Sequence, residues 1–231
     1  MLIGKEAVSL FDRTAGRFAA SIDTSIERGT YVRGRLFEDM LRQHGAPGGE
    51  ILDYGCGPGR ISLRLSRCGF QVLGVDCSRE MIRQAKLQNQ AGAGLQFRVL
   101  EECRDVFAPN AYAGIVCSSV VEFVDDLEDL LAGFLRSLRP GGVAIISYAN
   151  SASLWRRYAA CFRRKYPHLA IQRHVWNWPQ ARRVFTRAGF EVLEAPRWFE
   201  CAFDNYRWLA WLSSLSLVGT LGLVVLGKPS A

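Results

Sequence analysis

The chain has 231 residues, of which 49% are hydrophobic and 22% are charged. This composition is typical of a folded globular protein and argues against disorder, and the length fits one α/β domain with additions better than two domains. The net charge is +7, and nine basic residues lie within 150–190, a stretch without Asp or Glu. The rest of the chain is close to neutral, so the positive charge belongs to that one segment.

The seven cysteines are scattered along the chain, without a C-x-x-C pair or a histidine at metal-ligand spacing. We therefore expect free thiols in a reducing compartment and no metal site. The N-terminal residues 1–10 contain the acidic Glu6 and no sustained apolar segment. We expect no signal peptide and a cytoplasmic location.

Helical patterning marks residues 1–44, and the glycine-rich loop 45–49 ends this segment. Strands and helices then alternate, which predicts parallel strands joined by right-handed crossovers in a doubly wound sheet with helices on both faces. The predicted strands are 51–54, 71–75, 95–100, 114–118 and 143–148, and the predicted helices are 60–67, 80–90 and 126–138. Ligands of such sheets bind beyond the carboxyl ends of the strands, so the residues there are the candidates for chemistry.

The stretch 208–227 has no charged residue and is long enough to span a membrane as a helix. Glycines at 219, 222 and 227 interrupt it and favour two elements, an apolar helix near 206–215 and a final strand at 220–226. We favour the strand and keep the membrane span as the alternative.

Three glycines at alternate positions, Gly55, Gly57 and Gly59, follow the first strand and open the next helix, with Asp53 just before them. Glycine permits a tight turn and lets a ligand approach the backbone, and the helix start offers free N–H groups. A plain glycine turn is the alternative, but the order of strand, turn and helix favours a cofactor loop. The spacing G-x-G-x-G is shorter than the dinucleotide pattern G-x-G-x-x-G.

The run LDYGCGPGR resembles motif I of the class I S-adenosylmethionine (SAM)-dependent methyltransferases, in particular the small-molecule branch with ubiquinone- and biotin-pathway enzymes. The resemblance extends from about Tyr31 to the end. It implies a single Rossmann-like domain over 1–231 with a mostly parallel sheet and an antiparallel last strand. It also implies SAM as the cofactor and methyl transfer to a small-molecule acceptor, with a SAM-binding regulatory or membrane-surface protein without turnover as the alternative.

The same resemblance supplies the cofactor-binding candidates. Asp76 ends the second strand and would bind the ribose hydroxyls, unless it caps the next helix instead. An acid near Glu101 or Glu102 would face the adenine amine, with an exposed surface pair as the alternative. Arg33 would pair with the SAM carboxylate, or be a solvated helix arginine. The complete set is Arg33, Asp53, Gly55, Cys56, Gly57, Gly59, Asp76, Cys77, Glu101, Glu102 and Ser118.

The sequence departs from the family at two positions, with Phe123 where many relatives have His and Ala113 where they usually have Asp. The sulfonium activates the methyl group, so a base is needed only if the acceptor must lose a proton. His174 is the best base candidate, and Tyr148, placed at the end of the fifth strand, could line the acceptor pocket. The alternatives are a surface or structural histidine and strand-end packing of the tyrosine.

Residues 150–178 are rich in arginine and aromatic side chains, and we interpret them as a lid insertion. As a helix, 153–166 would place aromatic residues on one face and arginines on the other. A surface helix, contact with an anionic membrane and recruitment of an anionic substrate are the readings that stay open. Peripheral membrane contact would involve 153–166 and 206–215, the latter also offering an apolar entry for a lipophilic acceptor. We expect no nucleic-acid partner, because no binding motif accompanies the basic residues.

Overall fold

The computed structural model describes residues 4–20, 25–45, 48–88, 94–161, 167–199 and 214–229. The helices in these ranges are α1 (Lys5–Ala20), α2 (Ser25–Gln43), α3 (Arg60–Arg67), α4 (Arg79–Gln88), α5 (Leu127–Ser137), α6 (Leu154–Ala160) and α7 (Trp178–Arg187). The strands are β1 (Glu50–Tyr54), β2 (Gln71–Asp76), β3 (Leu95–Val99), β4 (Tyr112–Cys117), β5 (Leu138–Asn150), β6 (Val175–Trp176), β7 (Glu191–Phe199) and β8 (Leu221–Gly227). Short 3-10 helices lie at Leu100–Glu102, Val121–Phe123 and Pro167–Ala170.

The described strands form one sheet in the order β3-β2-β1-β4-β5-β8-β7, with β6 paired to the end of β5. Neighbours from β3 to β6 are parallel, whereas β8 runs antiparallel to both β5 and β7. The predicted mostly parallel sheet with an antiparallel last strand is confirmed. The strand interpretation of 220–226 is also confirmed, as β8.

Helices cover both faces of the sheet, as predicted, because the central strands are apolar on both sides. Every residue of β4 and of β8 is buried. Leu52 and Tyr54 of β1 pack into one core with α5 and α7, while Ile51 packs into the other with α2, α3 and α4. Alternate side chains of one strand therefore serve opposite layers, as the pleat requires.

We did not predict β6 or α7 from the sequence, although α7 begins with a recognisable capping motif. Asn177 accepts a hydrogen bond from the Gln180 backbone while the Gln180 side chain accepts one from the Asn177 N–H, which forms a capping box. Pro179 adds a favourable residue in the first turn. The two-residue strand β6 is too short for a pattern of its own.

The predicted helix over 153–166 is confirmed for Leu154–Ala160, which form α6 and end at the C-cap Cys161, while residues 162–166 lie outside the described residues. Ser153 caps α6 by accepting a hydrogen bond from the Arg156 N–H. Most of the predicted apolar helix at 206–215 also lies outside the described ranges. Within those ranges, no helix is both long and apolar enough to cross a membrane.

Candidate active site

The candidate site lies at the switch point of the sheet, the place between β1 and β4 where the strand order reverses direction. From β1 the chain proceeds to β2 on one side, and from β4 it proceeds to β5 on the other. The two connections leave a crevice at the carboxyl ends of the strands, where doubly wound sheets bind ligands. The glycine loop after β1 and the serines after β4 line its two sides.

The glycine loop is fastened to the neighbouring strand by its own backbone. The N–H groups of Gly55 and Cys56 donate to the Val75 carbonyl at 2.8 and 3.0 Å. Gly55 has φ of +75°, and a Cβ built there would lie 2.2 Å from Cγ2 of Val120. Only glycine satisfies both the left-handed conformation and this close approach.

Gly57 is also left-handed, but the described residues leave the space beside its Cα open. It has φ of +53°, and a Cβ built there would meet only Sδ of Met81, at 4.0 Å. Its N–H donates to Oδ2 of Asp76 at 2.8 Å, which places this open position beside the predicted ribose acid. Gly59, at φ of +79°, is the N-cap of α3. The loop thus offers open space next to a carboxylate and a helix start, which fits the ribose and polar tail of SAM.

Asp76 is buried, and backbone groups fix both of its carboxylate oxygens. Oδ1 accepts from the Ser78 N–H at 2.8 Å, and Oδ2 accepts from Gly57. Burial raises the pKa of Asp76, and these two N–H bonds oppose that shift. The helix-capping alternative belongs to Ser78, whose Oγ accepts from the Met81 N–H in the first turn of α4. The remaining lone pairs of Asp76 are left for a ligand.

Asp53 lies beneath the loop and joins β1 to α3. Ser62 Oγ donates to its Oδ2 at 2.5 Å, and among the described residues Oδ1 has no hydrogen-bond partner. Burial raises the pKa of Asp53 to about 7, which the Ser62 hydroxyl partly opposes. A buried acid whose Oδ1 lacks a hydrogen-bond partner among the described residues is compatible with the predicted role in cofactor binding, which stays a prediction.

The two predicted cysteines flank the loop as protonated thiols. Cys56 Sγ donates to the Gly57 carbonyl, and Cys77 Sγ donates to Asp76 Oδ1 at 3.7 Å. Burial raises the pKa of both thiols, with the nearby carboxylates adding to the shift. They can line the crevice, but neither has the thiolate character of a nucleophile.

Arg33 of α2 lies at the switch point, next to the serines that follow β4. Its Nη1 donates to Oγ of Ser118 at 3.0 Å and to Oγ of Ser119 at 3.1 Å, and its guanidinium lies 5.5 Å from the Phe199 ring centre. Ser119 has φ of +55°, and its N–H donates to Ser147 Oγ at 2.7 Å. Arg33 is therefore not a solvated helix arginine, because its charge is held at the crevice beside the predicted Ser118.

Glu101 and Glu102 lie in the 3-10 helix after β3 and are exposed. Both pair with Arg79 at the start of α4, Glu102 at 2.7 Å and Glu101 at 3.5 Å. This is the geometry of the surface-pair alternative. The adenine-binding role stays a prediction.

Helix α1 crosses the crevice, which the sequence did not indicate. Phe11 meets Phe123 edge to face, with ring centres 5.2 Å apart, and Asp12 accepts a 2.5 Å hydrogen bond from Ser78 Oγ. Phe123 follows β4 and Ser78 follows β2, and β1 lies between those strands. Helix α1 therefore extends from the residues after β4 to those after β2, across the carboxyl end of β1.

His174 faces the region after β4 and is half-buried. Its Nε2 lies 3.0 Å from the Val124 carbonyl, and its ring stacks on Trp176 with centres 5.4 Å apart. A carbonyl only accepts, so Nε2 carries the proton and a neutral ring keeps its lone pair on Nδ1. Burial lowers the pKa of His174, and the Val124 hydrogen bond opposes this shift. A neutral imidazole with a free lone pair meets the requirement for a general base.

Tyr148 differs from its expected position, because β5 continues to Asn150 and Tyr148 lies within the strand. It is fully buried among Trp176, Phe185 and Trp198. Its hydroxyl has no hydrogen-bond partner among the described residues, and burial raises its pKa. The structure supports the packing alternative, since an enclosed neutral phenol in an aromatic core does not present a proton-transfer group.

Glu122, which the sequence did not single out, anchors the insertion 150–178 to the site. Its backbone carbonyl accepts from the Arg173 N–H at 2.7 Å, and its side chain is buried. Burial lowers the pKa of Arg156 on α6, and the negative charge of Glu122 opposes that shift; Arg156 also donates to Gln172. The insertion thus lies against the residues after β4. Among the described residues, no group of three His, Cys, Asp or Glu side chains could hold a metal ion.

A family described as a methyltransferase domain matches residues 28–195 of the chain. Among curated proteins, a ubiquinone/menaquinone biosynthesis C-methyltransferase of Desulfotalea psychrophila is 32% identical over 142 residues, which are 60% of this chain and 56% of that protein. A ubiquinone biosynthesis O-methyltransferase of Xanthomonas campestris pv. campestris is 30% identical over 107 residues, 45% of this chain and 44% of that protein. The chain spans about half the length of these curated relatives.

Solved structures share the fold. A SAM-dependent methyltransferase of Thermotoga maritima has a TM-score of 0.69 at 18% identity, covering 96% of this chain and 99% of that one. The magnesium protoporphyrin IX methyltransferase of Synechocystis PCC 6803, solved with SAH, has a TM-score of 0.64 at 16% identity, covering 87% and 84%. The family match, the glycine loop and the switch-point geometry agree, and the chain belongs to the class I SAM-dependent methyltransferases.

Proposed function

We propose that the protein transfers the methyl group of SAM to a small-molecule acceptor that is lipophilic or anionic. The observation that carries the proposal is the pairing of Gly57 with Asp76, which leaves open space beside a fixed carboxylate at the switch point. When bound, SAM supplies a methyl group on a sulfonium, already activated for transfer.

The protein's own contribution is to bind, orient and exclude water. Asp76, held by two backbone N–H groups, would take the ribose hydroxyls, and the open backbone at Gly57 would let the cofactor approach. Arg33 offers a positive charge for the carboxylate of the amino-acid tail, and Asp53, once ionised, would offer a negative charge for its ammonium group. Helix α1 would keep water from the reacting centre.

On the acceptor side, we propose that Nδ1 of His174 receives a proton when the acceptor is a hydroxyl group. The Val124 carbonyl fixes the tautomer, and the lowered pKa keeps the ring neutral near pH 7. An acceptor that needs no deprotonation would not depend on this residue. The response to its removal therefore reports the type of acceptor atom.

The acceptor class is inferred from the surroundings of the site and from the relatives. Residues 150–178 are rich in arginine and aromatic side chains, and the backbone of Arg173 within them donates to the Glu122 carbonyl after β4. The curated relatives are named for ubiquinone and menaquinone biosynthesis, which is consistent with a lipophilic acceptor.

The test is transfer of label from methyl-labelled SAM to the small molecules of a cell extract, followed by partition between organic solvent and water. We expect a labelled product with the wild type and much less of it with Asp76→Ala when the SAM concentration is close to the wild-type Kd. Label in the organic phase identifies a lipophilic acceptor, and label in an anionic aqueous fraction identifies a polar one. A folded wild-type protein that binds SAM but labels nothing would contradict turnover and leave the SAM-binding alternative.

A further inference from the structure

Ser119, just after β4, has a strained backbone. Among the described residues, two that are not glycine have a positive φ, Asn110 at 54° and Ser119 at 55°. Asparagine is common in the left-handed region because its side chain can hydrogen-bond locally, whereas serine is not enriched there. Such strain persists only where surrounding contacts hold it, and it is concentrated at functional sites. The contacts that hold Ser119 should therefore show what this conformation serves.

Ser147 holds Ser119 from the neighbouring strand. Strand β4 ends at Cys117, which lies opposite Ile146 of β5, while β5 continues to Asn150. The chain after β4 leaves the ladder, and the Ser119 N–H donates to Oγ of Ser147 at 2.7 Å. Ser147 is fully buried, where a hydroxyl without a hydrogen bond would be costly, so this contact accounts for a polar residue at that position.

Ser119 in turn holds Arg33. Nη1 of Arg33 donates to Oγ of Ser119 at 3.1 Å and to Oγ of Ser118 at 3.0 Å. The guanidinium also lies over the ring of Phe199, whose face attracts a cation. A guanidinium is a rigid planar fork, so two hydrogen bonds from one nitrogen and a ring against it leave it few orientations. The protein's own contacts therefore fix this charge, which reduces the ordering cost of binding an anion.

We propose that Ser147 is a positioning residue, which holds Ser119 in the left-handed conformation and thereby aims Arg33 at the carboxylate of the cofactor's amino-acid tail. This inference rests on the proposed function, which assigns SAM to the crevice and its carboxylate to Arg33. A planar carboxylate is the anion that a fixed guanidinium fork matches in shape. Because Ser147 is fully buried, it acts through Ser119, and its removal should weaken only ligands that carry the tail.

The test compares two ligands that differ in the tail, by isothermal titration calorimetry. S-adenosylhomocysteine (SAH) carries the amino-acid tail, and 5′-methylthioadenosine has the same adenosine and sulfur without it. Ser147→Ala removes the acceptor of the Ser119 N–H. Ser137→Ala is the matched control, because Ser137 is equally buried and its Oγ donates to the Phe134 carbonyl at the end of α5, at the opposite end of the sheet from the crevice.

Ser147→Ala should bind SAH about tenfold or more weakly than the wild type, equal to about 1.4 kcal/mol or more, and should bind 5′-methylthioadenosine as tightly as the wild type. A merely structural role would weaken both ligands alike. Ser137→Ala should leave the ratio of the two affinities at its wild-type value.

Ser119→Gly keeps the test independent of whether Ser147→Ala folds. Glycine adopts φ of +55° without strain and keeps the N–H, but it removes the Oγ that accepts from Arg33. We expect no loss of melting temperature and the same selective loss of SAH affinity. In this background, Ser147→Ala should change SAH affinity less than it does in the wild type, because its effect passes through the Ser119 hydroxyl.

Unchanged SAH binding by a folded Ser147→Ala or by Ser119→Gly, or equal weakening of both ligands, would overturn the positioning role and leave the proposed function standing. A wild type that binds both ligands equally tightly would overturn recognition of the tail by Arg33. A well-folded wild type that binds neither ligand would instead contradict the cofactor assignment, and the proposed function would fail with it.

Discussion

Gly57→Ala separates the cofactor role of the glycine loop from its structural role. Gly57 has φ of +53°, so an alanine there is strained, but the added methyl group would meet only Met81 Sδ at 4.0 Å. A residue with a side chain in the left-handed region costs about 1–2 kcal/mol. For a domain of this size, that lowers the melting temperature by about 2–8 °C.

Gly141→Ala is the matched control, since Gly141 has φ of +72° and a Cβ built there would meet no atom of the described residues within 4 Å. It lies at the start of β5, at the end of the sheet opposite the crevice. Both variants should lose similar stability in thermal unfolding, because they carry the same backbone strain.

Only Gly57→Ala should lose affinity for SAM, because the added methyl group would occupy the space beside Asp76. We expect a fall in affinity of at least about tenfold, or about 1.4 kcal/mol, by isothermal titration calorimetry. If Gly57→Ala binds SAM as tightly as Gly141→Ala does, the cofactor does not approach this backbone and the assignment of the loop is wrong.

Three further predictions follow from contacts around the loop. His174→Gln should lower kcat about 10²–10⁴-fold for a hydroxyl acceptor with SAM affinity unchanged; an unchanged kcat would exclude it as the base. Burial raises the pKa of Asp53 from 3.8 to about 7, so its ionisation is less favourable in the folded than in the unfolded chain. The free energy of unfolding should therefore fall as the pH rises toward and through 7. Asp53→Asn should abolish that dependence and stabilise the protein near pH 8 by up to about 4 kcal/mol, as urea unfolding would measure, whereas parallel pH profiles would contradict it. Phe11→Ala should loosen α1 and speed SAM association and release in stopped-flow traces, whereas unchanged rates would show that α1 does not gate the crevice.

The cofactor-binding candidates could be predicted from the sequence because they stand at or just after the ends of predicted strands. Gly55, Gly57 and Asp76 all lie at the carboxyl ends of β1 and β2, where the alternation of strands and helices predicted a ligand. The contact of Gly57 with Asp76 fits the ribose prediction, although the sequence alone could not say that Ser78 takes the capping role.

The region proposed for the acceptor was less predictable, because contacts between distant segments build it. Tyr148 was misplaced because β5 extends two residues beyond the apolar run that marked it. The sequence did not indicate that Glu122 holds residues 150–178, because its partners Arg156 and Arg173 lie far from it in the chain. The turn at 214–218 likewise meets α6 through the Leu154 N–H and the Leu217 carbonyl, and no pattern along the chain indicates that pairing.

The most direct test of the central claim is equilibrium binding of SAM to the wild type and to Asp76→Ala, measured by isothermal titration calorimetry. The proposed site predicts micromolar binding by the wild type, weakened about tenfold or more in the variant, equal to about 1.4 kcal/mol or more. A well-folded wild type that binds no SAM up to millimolar concentration, or a variant that binds equally well, would contradict it.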